Sequence, residues 1–221
     1  MGRSELTRQP DDRSHSDGTG LAAGARLFGA AAEAVTALVA TIPADAWDGP
    51  GLGEWDLRAL VGHTSRSLLT VESYLGQPAA REDLSTAEAY VAGATVTVDP
   101  ASIVQRGRDA GTALGAEPAA AFAAIVTRVL PLLDRDDDPL VSTIAGGMRL
   151  SVYLRTRLFE LVVHGQDIAD ALGVAPPAFS AEVWAAALEL AARTAVLRER
   201  GPELLRALTG RAALPSGFTV V

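Results

Sequence analysis

Two histidines and a glutamate have the residue types and spacing that a divalent metal ion would use. Glu160 and His164 lie four residues apart in the segment from Leu158 to Ala169. A helix stacks residues at that spacing on one face, so a carboxylate and an imidazole would be presented to one ion. His63, far upstream behind Trp55, would be the third ligand. Three protein ligands with a fourth position left free are the usual make-up of a catalytic zinc site, where the open position takes water or substrate. The same spacing also describes an ordinary i,i+4 pair worth ~0.2–0.5 kcal/mol. The neighbours add information: Leu158, Phe159, Leu161, Val162 and Val163 flank the glutamate. An unpaired carboxylate is costly in such surroundings, and a buried ion would account for both polar groups.

Several residues stand close to this pair. Asp167, three positions after His164, fits two roles: acceptor of the second ring N–H of a metal-bound histidine, or a cap and ion-pair partner near the helix end. Arg155 and Arg157 precede the pair by a turn or two. Either could hold a substrate carboxylate, and either could equally be a solvated or paired surface arginine. Tyr153 belongs to the same stretch. No catalytic group beyond the three ligands is assigned by the sequence.

What is missing directs the chemistry. The chain has no cysteine, so it has no disulfide framework, no thiolate-ligated zinc and no thiol nucleophile of its own. Any thiol chemistry must use an external thiol. All 19 basic residues are arginine, which excludes a P-loop lysine, a pyridoxal-phosphate Schiff base and a lysine general base. The arginine-only, alanine-rich usage is that of a high-GC genome. No His-Glu-x-x-His, Gly-x-Ser-x-Gly or Gly-x-Gly-x-x-Gly pattern occurs, and Asp136 to Asp138 lack the glycine and distal glutamate of a calcium loop.

The elements that must position these residues are helical. Apolar residues make up 48% of the 221-residue chain, few of them aromatic, and recurring Ala and Leu with sparse β-branched runs favour an all-α domain. A first long helix is expected from Leu21 to about Ile42, stopped by Pro43. A Gly/Pro turn at 48–53 leads to a second helix opened by Glu54 to Leu57, with His63 in its first half. Residues 76–100 read as loop plus a short helix. A third helical region spans Pro100 to Leu133, broken near Gly111, Gly115 and Pro118. A fourth helix carries Glu160 and His164 from Gly147 to Leu172 and is closed by Gly173. Shorter helices follow from Ser180 to about Glu199 and from Pro202 to Leu208, then an extended tail. Four long helices amount to a bundle, a common scaffold for buried metal.

Residues 1–18 are too polar to offset their ordering entropy, so a loose arm is expected there, with His15 solvated, ahead of one domain over 19–221. A net charge of −8 disfavours nucleic acid and anionic lipid as partners. The apolar stretch from Ala119 to Leu133 falls short of a bilayer span and the N-terminus lacks an apolar signal core, so a cytoplasmic protein is expected, as a monomer or a homodimer.

Three segments resemble a known family. Trp55 to His63 is similar to the Trp-x-x-x-x-Leu-x-x-His segment of the mycothiol-dependent maleylpyruvate isomerase family, part of the DinB-like metal-binding superfamily. Arg155 to Ala169 resembles that family's second metal segment, with the Glu-x-x-x-His spacing intact, and Ala207 to Phe218 resembles segments near the end of such proteins. The resemblance implies a DinB-like up-down-up-down four-helix bundle with short additional helices. It implies a divalent metal, zinc by this likeness, on His63, Glu160 and His164. It also implies mycothiol, an actinobacterial thiol, as cosubstrate, with a small electrophilic molecule as substrate. A coordinating thiol loses its proton, so an open metal position would supply the nucleophile that the chain lacks. Transfer of the sulfur and cis–trans isomerisation both remain open. So do two other readings, a non-catalytic binding or sensing bundle and a metal-assisted hydrolase of a natural-product intermediate.

Overall fold

A computed structural model describes residues 17–97 and 99–221. The expected arm, with His15, lies outside the described residues up to position 16. Among the described residues the fold is all-α apart from one hairpin. The helices are α1 (Asp17–Val39), α2 (Leu57–Leu75), α3 (Ala87–Thr97), α4 (Pro100–Ala113), α5 (Pro118–Val129), α6 (Leu150–Leu172), α7 (Ala181–Leu197) and α8 (Gly201–Leu208). The hairpin strands are β1 (Leu140–Thr143) and β2 (Gly146–Arg149).

Local chemistry sets the helix starts. Asp56 stands before α2 and its carboxylate accepts from Ala59 N–H at 2.7 Å. Asp99 and Ser180 do the same for α4 and α7, and Pro100 and Pro118 occupy the first turns of α4 and α5, where a missing N–H costs nothing. Gly173 ends α6 in the left-handed conformation, its N–H donating to the carbonyls of Ala169 and Asp170. The break expected within 100–133 is a bend of 98° between α4 and α5.

Four helices close a ring: α1 packs on α6, α6 on α2, α2 on α5 and α5 on α1. Their shared interior holds Phe28, Leu60, Leu68, Phe122, Leu154, Leu161 and Ile168, nearly all sealed from solvent. α4 covers the outer side of α2, while α7 lies over α6 and α3. The contact of α4 with α2 depends on glycine. A Cβ on Gly62 would overlap the backbone of Gly111, and one on Gly111 would come within 2.8 Å of the Arg58 carbonyl oxygen.

The sequence reading placed Gly147 inside the fourth helix. Residues 147–149 are instead strand, and α6 begins at Leu150. β1 and β2 pair antiparallel with Val141 opposite Met148. The loop after α2 fixes them in place: Asp83 accepts from Gly147 N–H at 2.9 Å and returns its own N–H to the Gly147 carbonyl at 2.7 Å. Backbone paired in this way cannot enter a helix.

Among the described residues, α1 over Gly20–Val39 is long and apolar enough to cross a membrane by length and composition, a length the sequence reading had sought only in 119–133; α4 and α5 pass the same test only as one bent span. In the fold α1 is a core helix, with Leu21, Phe28, Ala31, Ala32, Val35 and Val39 fully covered.

Candidate metal centre and its cavity

α2 and α6 each present one polar stripe to a shared cavity. On α2 it is His63, Arg66, Ser67, Thr70 and Tyr74, and on α6 it is Tyr153, Arg157, Glu160 and His164. Both follow helical spacing, which keeps each stripe on one face. The two faces enclose a space of about 360 Å³, with Trp55 ahead of α2, Tyr90 and Val91 from α3, Ile103 and Arg106 from α4, Ile144 from the hairpin turn and Val221 completing the lining.

At one end the three expected ligands meet. His164 Nε2 lies 3.2 Å from Glu160 Oε2, and His63 Nε2 lies 3.9 Å from the same oxygen. The two imidazoles stand edge to face with centroids 4.8 Å apart. One donor atom from each of the three residues falls within 4.8 Å of the others, a group that could hold a metal ion. Their side chains are 18%, 31% and 13% exposed for His63, Glu160 and His164, so the cluster is shielded but reachable from the cavity.

Two of the three side chains are fixed by their surroundings. His164 Nδ1 sits 2.9 Å from Asp167 Oδ2. A carboxylate only accepts, so this nitrogen carries the hydrogen and Nε2 is turned toward Glu160. His63 lies against the Trp55 indole, centroids 4.5 Å apart. Trp55 is itself held by α4: it donates to the Val104 carbonyl at 3.0 Å, and a Cβ on Gly107 would reach within 2.6 Å of its ring. His63 Nδ1 is buried with no hydrogen-bond partner. Protonating that ring would bury a charge and leave an N–H unmatched.

The protonation states follow. Burial, then the neighbouring His164, pull His63 down to about 4. Burial also opposes charge on the other two, but partners outweigh it. Hydrogen bonds that the His164 ring donates to Asp167 and Glu160 lift it to about 9. The His164 hydrogen bond and the charge of Arg157 bring Glu160 down to about 2. At neutral pH the centre therefore offers a neutral His63, an ionised Glu160 and one proton on His164 to be displaced. Two imidazoles, a carboxylate and an oriented ring suit a borderline divalent cation.

The two arginines separate. Arg157 reaches the cavity: its Nη2 is 4.0 Å from Glu160 Oε1, and its guanidinium lies over the rings of Tyr153 and Tyr90 at 5.0 and 5.5 Å. Arg155 turns away, pairs with Glu189 at 3.2 Å and does not line this cavity. Tyr153 is buried behind Arg157 and donates to Thr70 Oγ1 at 2.7 Å. Burial raises its pKa above the ordinary phenol value, so it acts as a neutral donor. Sequence reasoning missed Arg66, Arg106, Thr70, Tyr74 and Tyr90. For those on α2 a signal existed, since Arg66, Ser67 and Thr70 follow His63 at i+3, i+4 and i+7.

A protein-family model described as the mycothiol maleylpyruvate isomerase N-terminal domain matches residues 28–169. The match takes in α2 and α5 whole, α1 from Phe28 onward and α6 as far as Ala169, with all of His63, Glu160, His164 and Asp167. No curated protein and no solved structure matches the chain.

Proposed function

The chain belongs to the mycothiol maleylpyruvate isomerase N-terminal domain family, and from that premise we propose a divalent-metal-dependent enzyme that activates mycothiol for reaction with a small electrophile. The observation that carries the reading is the convergence of His63, Glu160 and His164 at one end of a cavity large enough for a small molecule. When bound, a divalent ion such as zinc would lower the pKa of a thiol so that the thiolate forms near neutrality.

The protein's own groups do the rest. Asp167 keeps His164 in the tautomer whose Nε2 faces the site, and Trp55 braces His63. Tyr90, Val91 and Ile103 limit water around the reacting atoms. The thiolate sulfur forms a bond to a carbon conjugated with a carbonyl, and the electron pair moves onto that carbonyl. Protonation at carbon then gives the S-conjugate. Alternatively, rotation about the carbon–carbon bond and loss of the thiolate give the isomer. A chain without cysteine needs a borrowed thiol for either outcome, and the reduced thiol pool of the cytoplasm would supply it.

The test combines metal analysis with turnover. Purified protein should hold about one divalent ion per chain, as a single three-ligand site requires, and should consume an activated electrophile only when both metal and thiol are present. Turnover that persists in His164→Ala, or that needs no thiol, overturns the reading.

A further inference from the structure

The cavity has an apolar rim drawn from separate parts of the chain: Val91 of α3, Ile103 of α4, Ile144 of the hairpin turn and Val221. Ile144 and Val221 are 52% and 46% exposed. They touch the cavity and solvent at once, so they mark its mouth. Val91, Ile103 and Ile144 are carried by helices or by the paired hairpin. Val221 is carried by residues 215–221, which are neither helix nor strand.

Local chemistry shapes that segment. The Phe218 N–H donates to the Pro215 carbonyl at 3.1 Å, and Gly217 between them stands at φ 71°, the positive φ that the third position of a type II turn requires. Beyond the turn, the Arg200 guanidinium lies over the Phe218 ring at 4.3 Å and Nη1 donates to the Thr219 carbonyl at 3.5 Å. The Val221 N–H donates to Thr219 Oγ1 at 3.2 Å, which fixes the tip. Arg200, between α7 and α8, thus clips the segment to the helical body. The clip is a light one. Residues 215–217 and 219 are exposed, and Phe218 and Val220 are half-buried, so lifting the segment uncovers little apolar surface and requires no helix to move. We propose that residues 215–221 are a strap, held by Arg200 at the mouth of the cavity, whose lifting admits molecules to His63, Glu160 and His164. The strap shares with the proposed function only the cavity, and it needs neither metal nor thiol.

The experiment follows carbethoxylation of His63 by diethyl pyrocarbonate in the chelator-treated full chain, read by peptide mass spectrometry against N-acetylhistidine in the same tube. The reagent attacks neutral imidazole, and His63 is neutral at neutral pH. Where the strap recloses faster than the reagent reacts, the rate follows the open fraction. Phe218→Ala and Arg200→Gln should each raise it about two- to fivefold, the scale of an exposed cation–π contact. A chain stopped after Ser216 should raise it at least as much. Phe218→Trp offers the guanidinium a better face and should slow it. Glu203→Gln removes the other partner of Arg200, at 2.8 Å, without touching the strap, and should not raise it. The Tm and the amide exchange of α2 should stay at the parent values throughout, which separates a lifted strap from loosened packing around His63. A parent rate in both Phe218→Ala and the chain stopped after Ser216 overturns the strap, and so does a faster rate that comes with faster exchange in α2. Because this protein is metal-free and no turnover is measured, failure of metal- and thiol-dependent turnover would strike the proposed function and leave the strap standing.

Discussion

Loading the centre with metal should expel one proton, and that proton should come from His164. In the metal-free protein this ring lies between Asp167 Oδ2 at 2.9 Å and Glu160 Oε2 at 3.2 Å and holds its second proton up to about pH 9. The other two ligands have nothing to give up at neutral pH, because His63 titrates at about 4 and Glu160 at about 2. At pH 7.5 a group with a pKa near 9 is about 97% protonated, so uptake should release very nearly one proton, about half of one at pH 9, and almost none above pH 10. The apparent affinity should accordingly rise about tenfold per pH unit up to pH 8.5 and then level off. Calorimetry in buffers of different ionisation enthalpy counts the protons directly. Divalent nickel is the better ion for this measurement, since its bound water is less acidic than that of zinc and adds little to the count. Release of two protons at pH 7.5 would mean that His63 is charged in the free protein. Release of none would mean that Asp167 and Glu160 do not hold the His164 ring between them. Either result refutes the electrostatic account of the centre.

Other consequences follow from the same geometry. Asp167→Ala removes the acceptor that orients His164 and should weaken metal binding by about 10–100-fold in competition with a chromogenic chelator. Without metal, the stability of the protein should peak near pH 6.5. The raised His164 stabilises fully below its ordinary 6.5 and loses that contribution as pH rises through about 9. The depressed His63 costs stability as pH falls from 6.5 toward about 4, and Glu160 stabilises above 4.5 and is lost toward about 2. Urea unfolding in the presence of chelator should show a decrease on the order of 2 kcal/mol between pH 6.5 and 8.5; a flat profile there contradicts the sign. Gly62→Ala places a methyl group into the α4 backbone at Gly111 and should destabilise by about 1–3 kcal/mol, with a shift in Trp55 emission as α4 moves; a Tm within error of the parent would show that the helices can separate freely.

The centre was more legible than the cavity around it. Glu160 and His164 share a face because of helix geometry alone, and α6 supplies that helix. His63 needed only a helix entered at Asp56. Two residues apart on a helix means nearly opposite faces, so the separation of Arg155 from Arg157 follows from the same spacing, with Arg157, Glu160 and His164 forming the inward row. Arg106 and Tyr90 could not be placed in this way, because they come from other helices whose seating depends on tertiary contacts such as Gly62 on Gly111. The hairpin was hidden for a related reason. A four-residue strand that begins Gly146-Gly147 has no alternation to read, and it is the Asp83 loop, more than sixty positions upstream, that makes it a strand.

The three candidate ligands lie far apart along the chain. His63 is on the second helix, and Glu160 and His164 are on the sixth, separated by about a hundred residues whose closure must be complete before the three donors meet. A bound ion would therefore act as a clasp on the topology as well as on the chemistry. It can form only once α2 and α6 have docked, it binds the folded state in preference to the open chain, and its dissociation rate becomes a report on how often those two helices part.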